Sequence, residues 1–177
     1  MSGDEDPERR FRALHEATYA DLLRFVGRRV PWSEAEDVVS TVFLTVWRRL
    51  DDVPVDARPW LFAVARNVLG NQVRGWTRRR ALDVRIEAEP ERFEADGADG
   101  AVERVDLVRA WRGLGAADRE VLALVAFDGL TAAQAAEVLG CRRSTFAMRL
   151  GRARKRLTEA LDPAGAGAPL LWTGARA

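Results

Sequence analysis

The segment from Thr131 to Leu161, TAAQAAEVLGCRRSTFAMRLGRARKRLTEAL, constrains this chain more than any other: a short helix, a turn at Gly140, then a longer basic helix. Thr131 with Gln134 makes a capping box, in which each side chain satisfies a backbone donor at a helix start, so a helix begins there. Ala135, Ala136, Val138 and Leu139 give it a small, apolar inner face. Gly140 can take the positive φ that ends a helix within a residue or two. Phe146 and Leu150 turn the second helix back onto the first. Arg142, Arg143, Arg149, Arg152, Arg154, Lys155 and Arg156 have no acidic residue between them. Such a pair reads as a helix-turn-helix whose second helix enters a DNA major groove, and the unbroken positive charge suits a duplex phosphate backbone. The plainer alternative is a solvated basic helix in an ordinary bundle.

Elsewhere apolar residues also recur at helical spacing, and no stretch alternates with period two for long enough to make a sheet, so the expected fold class is all-α. The first helix is expected from about Pro7 to Arg29, with Phe11, Leu14, Leu22, Phe25 and Val26 inward and Pro31 ending it. Ser33 with Glu36 reads as a second capping box, opening a helix through Val39, Val42, Phe43, Val46, Trp47 and Leu50. Asp51 to Pro59 reads as loop. A third helix follows Pro59, with Leu61, Val64, Ala65, Val68, Val73 and Trp76 at helical spacing, and runs into Arg78, Arg79 and Arg80. Residues 7–80 are thus expected to form one small domain of three to four helices.

From 81 to 101 periodicity is lost and the composition turns acidic, with Glu87, Glu89, Glu91, Glu94, Asp96 and Asp99 among Pro90, Gly97 and Gly100, as in a flexible linker. Residues 102–161 form a second, four-helix domain: Val102, Val105, Val108 and Trp111, a break at Gly113 and Gly115, then Val121, Leu122, Val125 and Phe127, a turn at Asp128 and Gly129, and the helix-turn-helix. The tail, 162–177, is rich in Gly, Pro and Ala and is expected to be disordered, although Leu170, Leu171 and Trp172 could dock.

A formal net charge of only +1 over 177 residues conceals the segregation of a basic first-domain end, an acidic linker and a basic final helix. Cys141 is the single cysteine, which excludes an intrachain disulfide and a thiolate metal cluster and fits a reducing cytoplasm. No apolar run nears the roughly 20 residues of a membrane span, and the polar start MSGDEDPERR is no signal peptide, so a soluble, cytoplasmic protein without membrane contact is expected. His15 is the only histidine, and no nucleophile, metal cluster or Gly-rich phosphate loop accompanies it. Neither an enzyme nor a cofactor or metal is expected.

Several segments in order resemble one family, the extracytoplasmic-function group of bacterial sigma factors, which lend RNA polymerase its promoter specificity. SEAEDVVSTVFLTVWRRL is similar to the family's polymerase-binding helix and ARPWLFAVARNVLGNQVRGWTRRR to its downstream promoter segment. GLGAADREVLALVAFDGLTAAQAAEVLG resembles the lead into the upstream-element reader, and STFAMRLGRARKRL the reading helix. The resemblance spans about residues 8–161. It departs at Leu114-Gly115, where Leu-Pro is common, at Asn71, where an acid is frequent, at Ser40 and Thr41 in place of Gln and Glu, and at Ser144, Thr145, Phe146 and Ala147 in place of Gly-Thr-Val and a lysine.

The resemblance implies bacterial core RNA polymerase and promoter DNA as partners, an anti-sigma factor as a further candidate, and a monomer when free. It implies that the polymerase is met by the exposed face of the second helix, with Glu36, Asp37, Arg48 and Arg49 as the polar candidates and simple solvated positions as the plainer alternative. Phe43, Val46 and Trp47 read as core. By similarity the loop Asp51 to Pro59 pockets an extruded base, and the next helix lies along the downstream element with Asn67, Asn71 and Arg74 exposed. Trp60 there is either a packing residue or a stacking platform, and Arg78, Arg79 and Arg80 meet phosphates. The upstream element is read by Arg142, Arg143, Ser144, Thr145 and Arg149 at the entering end of the last helix. Arg152, like Arg154, Lys155 and Arg156, lies further along, where contacts go to phosphate or solvent. Phe146 and Met148 read as packing, and Cys141 as a small turn residue. A stand-alone helix-turn-helix regulator acting without polymerase is the alternative.

Overall fold

The computed structural model describes residues 6–75 and 98–161, with side chains described over 6–71 and 105–161. Arg78, Arg79, Arg80, most of the acidic linker and the tail lie outside the described residues, as do the side chains of Val73 and Arg74 and all of Trp76. Among the described residues every regular element is helical, and they fall into two compact units, one built around the first three α-helices and the other around the last four.

In the first unit α1 spans Pro7–Gly27, α2 Trp32–Arg48 and α3 Ala57–Gly75, with a 3₁₀ turn at Leu50–Asp52. Asp6 caps α1 by accepting from the Glu8 N–H at 3.1 Å, with Pro7 in the first position, where its missing donor costs nothing. At the other end the Arg29 guanidinium donates to the Phe25 carbonyl at 2.7 Å and lies 3.6 Å over the Phe25 ring. Gly27 lets the Trp32 ring approach closely: a Cβ there would stand 1.9 Å from it, and the exposed ring would have to swing away. The core is Leu22, Phe25, Val26, Val38, Val42, Val46, Leu61, Phe62 and Leu69, with Phe25 and Phe62 stacked at 4.5 Å between centroids.

Three sequence expectations are corrected here. Ser33 caps nothing: Pro31, at ψ 142°, is the N-cap of α2 without a side-chain bond, so the helix begins one residue later and Ser33 falls inside its first turn. Proline's fixed φ favours such a start. Pro59 lies within α3 rather than before it, since the first turn of a helix has no intrahelical use for the N–H that proline lacks. Trp47 is 45% exposed instead of filling the core, its ring edge-on to Phe11 at 5.2 Å on the shoulder of α2.

In the second unit α4 spans Ala98–Gly113, α5 Ala116–Ala126, α6 Ala132–Val138 and α7 Arg143–Leu161. The start of α4 at Ala98 shortens the expected linker by four residues. Glycine at 100 is tolerated in a helix at about 1 kcal/mol, which made the boundary hard to read. Trp111 meets Phe127 edge-on at 5.5 Å, and the Arg119 guanidinium donates to the Arg112 carbonyl at 3.0 Å, binding the start of α5 to the end of α4. Phe146, Leu150, Ala153 and Leu157 form the buried edge of α7.

The turn chemistry around α6 follows the sequence closely. Gln134 Oε1 accepts from the Thr131 N–H at 3.0 Å while Thr131 Oγ1 accepts from the Gln134 N–H at 3.3 Å, a complete capping box. Gly140, at φ 61°, ends α6, and the Cys141 N–H returns to the Ala136 carbonyl at 2.9 Å. Thr131→Ala is expected to destabilise the second unit by about 1 kcal/mol, the usual worth of a cap. For a unit of this size that lowers its melting temperature by about 4–8 °C, measurable by thermal denaturation.

Candidate nucleic-acid interface

Opposite the buried edge of α7, at 3.6 residues per turn, run Ser144, Met148 and Lys155, flanked by Gly151 and Arg152. Arg143 and Arg149 stand at the margins, and all seven are exposed. Arg142 is exposed in the turn before the helix, and Thr145 is half-buried at its first turn. The structure therefore leaves Arg142, Arg143, Ser144, Arg149 and Arg152 exposed at the entering end of α7 and over its first two to three turns, with Arg143 and Arg152 on opposite sides of the helix. None of these four arginines has an acidic partner among the described residues.

The remaining cations are engaged elsewhere. Arg156 donates to Asp118 of α5 at 2.6 Å, Lys155 stands 3.8 Å from Glu159, and the half-buried Arg154 lines the crevice between α5 and α7 with Leu122, Val125, Leu150 and Leu157. Met148, expected to pack, is 59% exposed. The reason is phase: Met148 is two residues from both Phe146 and Leu150, and in a helix that spacing points away from the core.

In the first unit α2 presents a comparable outward face. Glu36, Asp37, Ser40, Thr41, Leu44 and Arg48 are all exposed, with Leu44 at its centre, opposite Val38, Val42 and Val46. Arg49 stands apart: it caps α2, pairs with Asp52 at 2.9 Å and lies 5.6 Å over the Trp60 ring. Leu44 is the residue that reading by charge missed. Its signal was an apolar residue out of phase with the buried positions of its own helix.

Beyond α2 the connection to α3 is held at three points. Arg10 donates to the Val53 carbonyl at 3.3 Å, Arg49 pairs with Asp52, and Arg58 binds Asp21 of α1 at 2.7 Å, leaving Val55 projecting into solvent. Trp60 is half-buried beneath Arg49. Asn67 and Asn71, one turn apart, are exposed on α3. His15 packs among Phe11, Tyr19 and Phe43, 4.4 Å from the last between centroids. None of the helices described is long and apolar enough to cross a membrane.

These two helical units match known families separately and in order. A family model of sigma-70 region 2 matches residues 14–83, and one of sigma-70 region 4 matches residues 104–157. The RNA polymerase sigma factor CnrH of Cupriavidus metallidurans is 30% identical, with 91% of this chain and 90% of CnrH covered. The ECF RNA polymerase sigma factor SigC of Mycobacterium tuberculosis is 33% identical over 92% of this chain and 89% of SigC. A solved structure of CnrH with the cytosolic domain of CnrY superposes with a TM-score of 0.59 at 27% identity, covering 89% of this chain and 91% of that one.

A region 2 unit followed by a region 4 unit defines a sigma-70-type initiation factor. The chain belongs to the extracytoplasmic-function sigma factors, which direct promoter-specific transcription by RNA polymerase.

Proposed function

We propose that the two units divide the work of initiation: the first binds the polymerase through α2 and opens the downstream element along α3, while the second reads the upstream element with α7. The observation that carries this division is the entering half of α7 with the turn before it, where Arg142, Arg143, Arg149 and Arg152 are exposed without acidic partners among the described residues. An arginine bidentate to guanine supplies about 1–3 kcal/mol of discrimination, and cations on phosphates add affinity without it. Glu36, Asp37, Leu44 and Arg48 form the polymerase face. Arg49 acts instead on the loop, holding Asp52 and covering Trp60, which favours a packing role for that tryptophan.

On α3, Asn67 and Asn71 offer side chains that both donate and accept, suited to the edge of a base that has left the stack. Arg74, Arg78, Arg79 and Arg80 would continue this path along phosphates. The chain acts by binding rather than catalysis, in the cytoplasm where its polymerase is. By analogy with CnrH, solved with the cytosolic domain of CnrY, a protein inhibitor is a third partner. A stand-alone regulator would leave the α2 face without a use.

The test compares chosen upstream sequences with random DNA. Arg149→Ala is expected to lower affinity for the chosen sequence by about tenfold, corresponding to one lost base contact, and affinity for random DNA much less. Equal losses on both would assign Arg149 to phosphate. Asn67→Ala should slow opening, reported by a fluorescent base, while closed-complex binding is unchanged; unchanged opening would remove Asn67 from the site.

A further inference from the structure

Met148 has no use in the division of labour above. It is a long apolar side chain, 59% exposed, on the side of α7 opposite its buried edge, among arginines without acidic partners in the described residues. Nothing in the second unit is gained by leaving it in water. Gly151 lies beside it, one turn on, in the interior of a 19-residue helix, where glycine is a poor choice relative to alanine. A Cβ built there meets nothing within 4 Å, so no neighbour among the described residues demands its absence. Ala147, also exposed, keeps the same margin low. Arg149 and Arg152 flank this area along one side and Arg143 precedes it, while Lys155, 3.8 Å from Glu159, follows on the same line two turns beyond Met148.

A partner surface that explains all three residues must admit the helix backbone closely, present anions around the rim and offer an apolar group at its floor. The major groove of a duplex does this, and the apolar group on its floor is the C5-methyl of thymine. Phosphates meet the rim of cations, and a glycine is what a close backbone approach requires.

We infer that Met148 is a specificity-determining residue of the upstream element, packing its thioether against a thymine methyl, and that Gly151 and Ala147 let α7 sit close enough for it to do so. This rests on α7 being the groove-reading helix. The element it reads therefore contains at least one thymine recognised by its methyl group, among guanines recognised by arginine.

The experiment uses the full chain with core polymerase to select sequences from a duplex pool randomised upstream. Each selected thymine is then replaced in turn by deoxyuridine, which removes the methyl and nothing else. At one position the wild-type chain is expected to lose about fourfold in affinity, the worth of one methyl group withdrawn from water. Met148→Ala should bind the thymine duplex as weakly as wild type binds the deoxyuridine duplex, and be indifferent to the replacement. Gly151→Ala should raise the melting temperature of the free chain and yet weaken binding to the selected element, opposite shifts that a role in packing alone would not produce. Wild-type indifference to deoxyuridine at every position, with a sequence still selected, would overturn the inference and leave α7 as the reading helix. So would a Met148→Ala chain that keeps its thymine preference. A pool in which nothing is enriched would remove α7 as the reader, and this role with it.

Discussion

Phe146→Ala is expected to abolish cooperative folding of the second unit. The side chain is fully buried at the first turn of α7, and its own N–H returns to the Arg142 carbonyl at 3.0 Å, so ring and backbone fix the start of the reading helix together. Truncating a buried phenylalanine costs about 3–5 kcal/mol, through lost transfer energy and the cavity left behind. Whole domains hold only about 5–15 kcal/mol, and a unit this small lies at the low end. Hydrogen exchange resolved by peptide should show protection lost across α4 to α7 and retained in α1 to α3. Upstream-element binding should disappear with it. Unchanged protection in α7 would mean that the ring is not a keystone of this core.

Leu44→Asp should sever the chain from polymerase without altering its stability. Leu44 is 57% exposed and central to the outward face of α2, ringed by Asp37, Ser40 and Arg48. Apolar residues so placed become the anchors of interfaces, where truncation costs about 2 kcal/mol or more. A carboxylate there would in addition be buried without a partner. The expected loss is about 30-fold or greater in affinity for core polymerase, from that same energy, with an unchanged melting temperature. Retained binding would move the polymerase face away from α2.

Much of this was legible in the residues before any coordinates. The Thr131 and Gln134 pair and Gly140 were readable because each satisfies a local demand: two backbone donors and one positive φ. The Ser33 and Glu36 pair has the same spacing and fails because Pro31, two residues earlier, dictates where the helix starts. A cap pattern is a local signal, and a stronger local constraint overrides it.

Phase was harder to read than pattern. Trp47 and Met148 are large and apolar, which favours the core, yet each lies off the buried line of its helix. Leu44 is hidden in the sequence by the charged and polar residues around it on the α2 face. Side-chain partners that are distant in sequence were not legible at all: nothing in the run of arginines from Arg142 to Arg156 distinguishes Arg156, held by Asp118, from Arg152, which faces solvent.

Promoter-directed transcription by the reconstituted enzyme tests the central claim most directly. Core RNA polymerase mixed with the purified chain should start RNA at a defined position on duplexes carrying the selected upstream element, and at neither scrambled duplexes nor in the chain's absence. Transcripts that begin equally well on scrambled duplexes, or polymerase and chain that fail to associate at low salt, would contradict it.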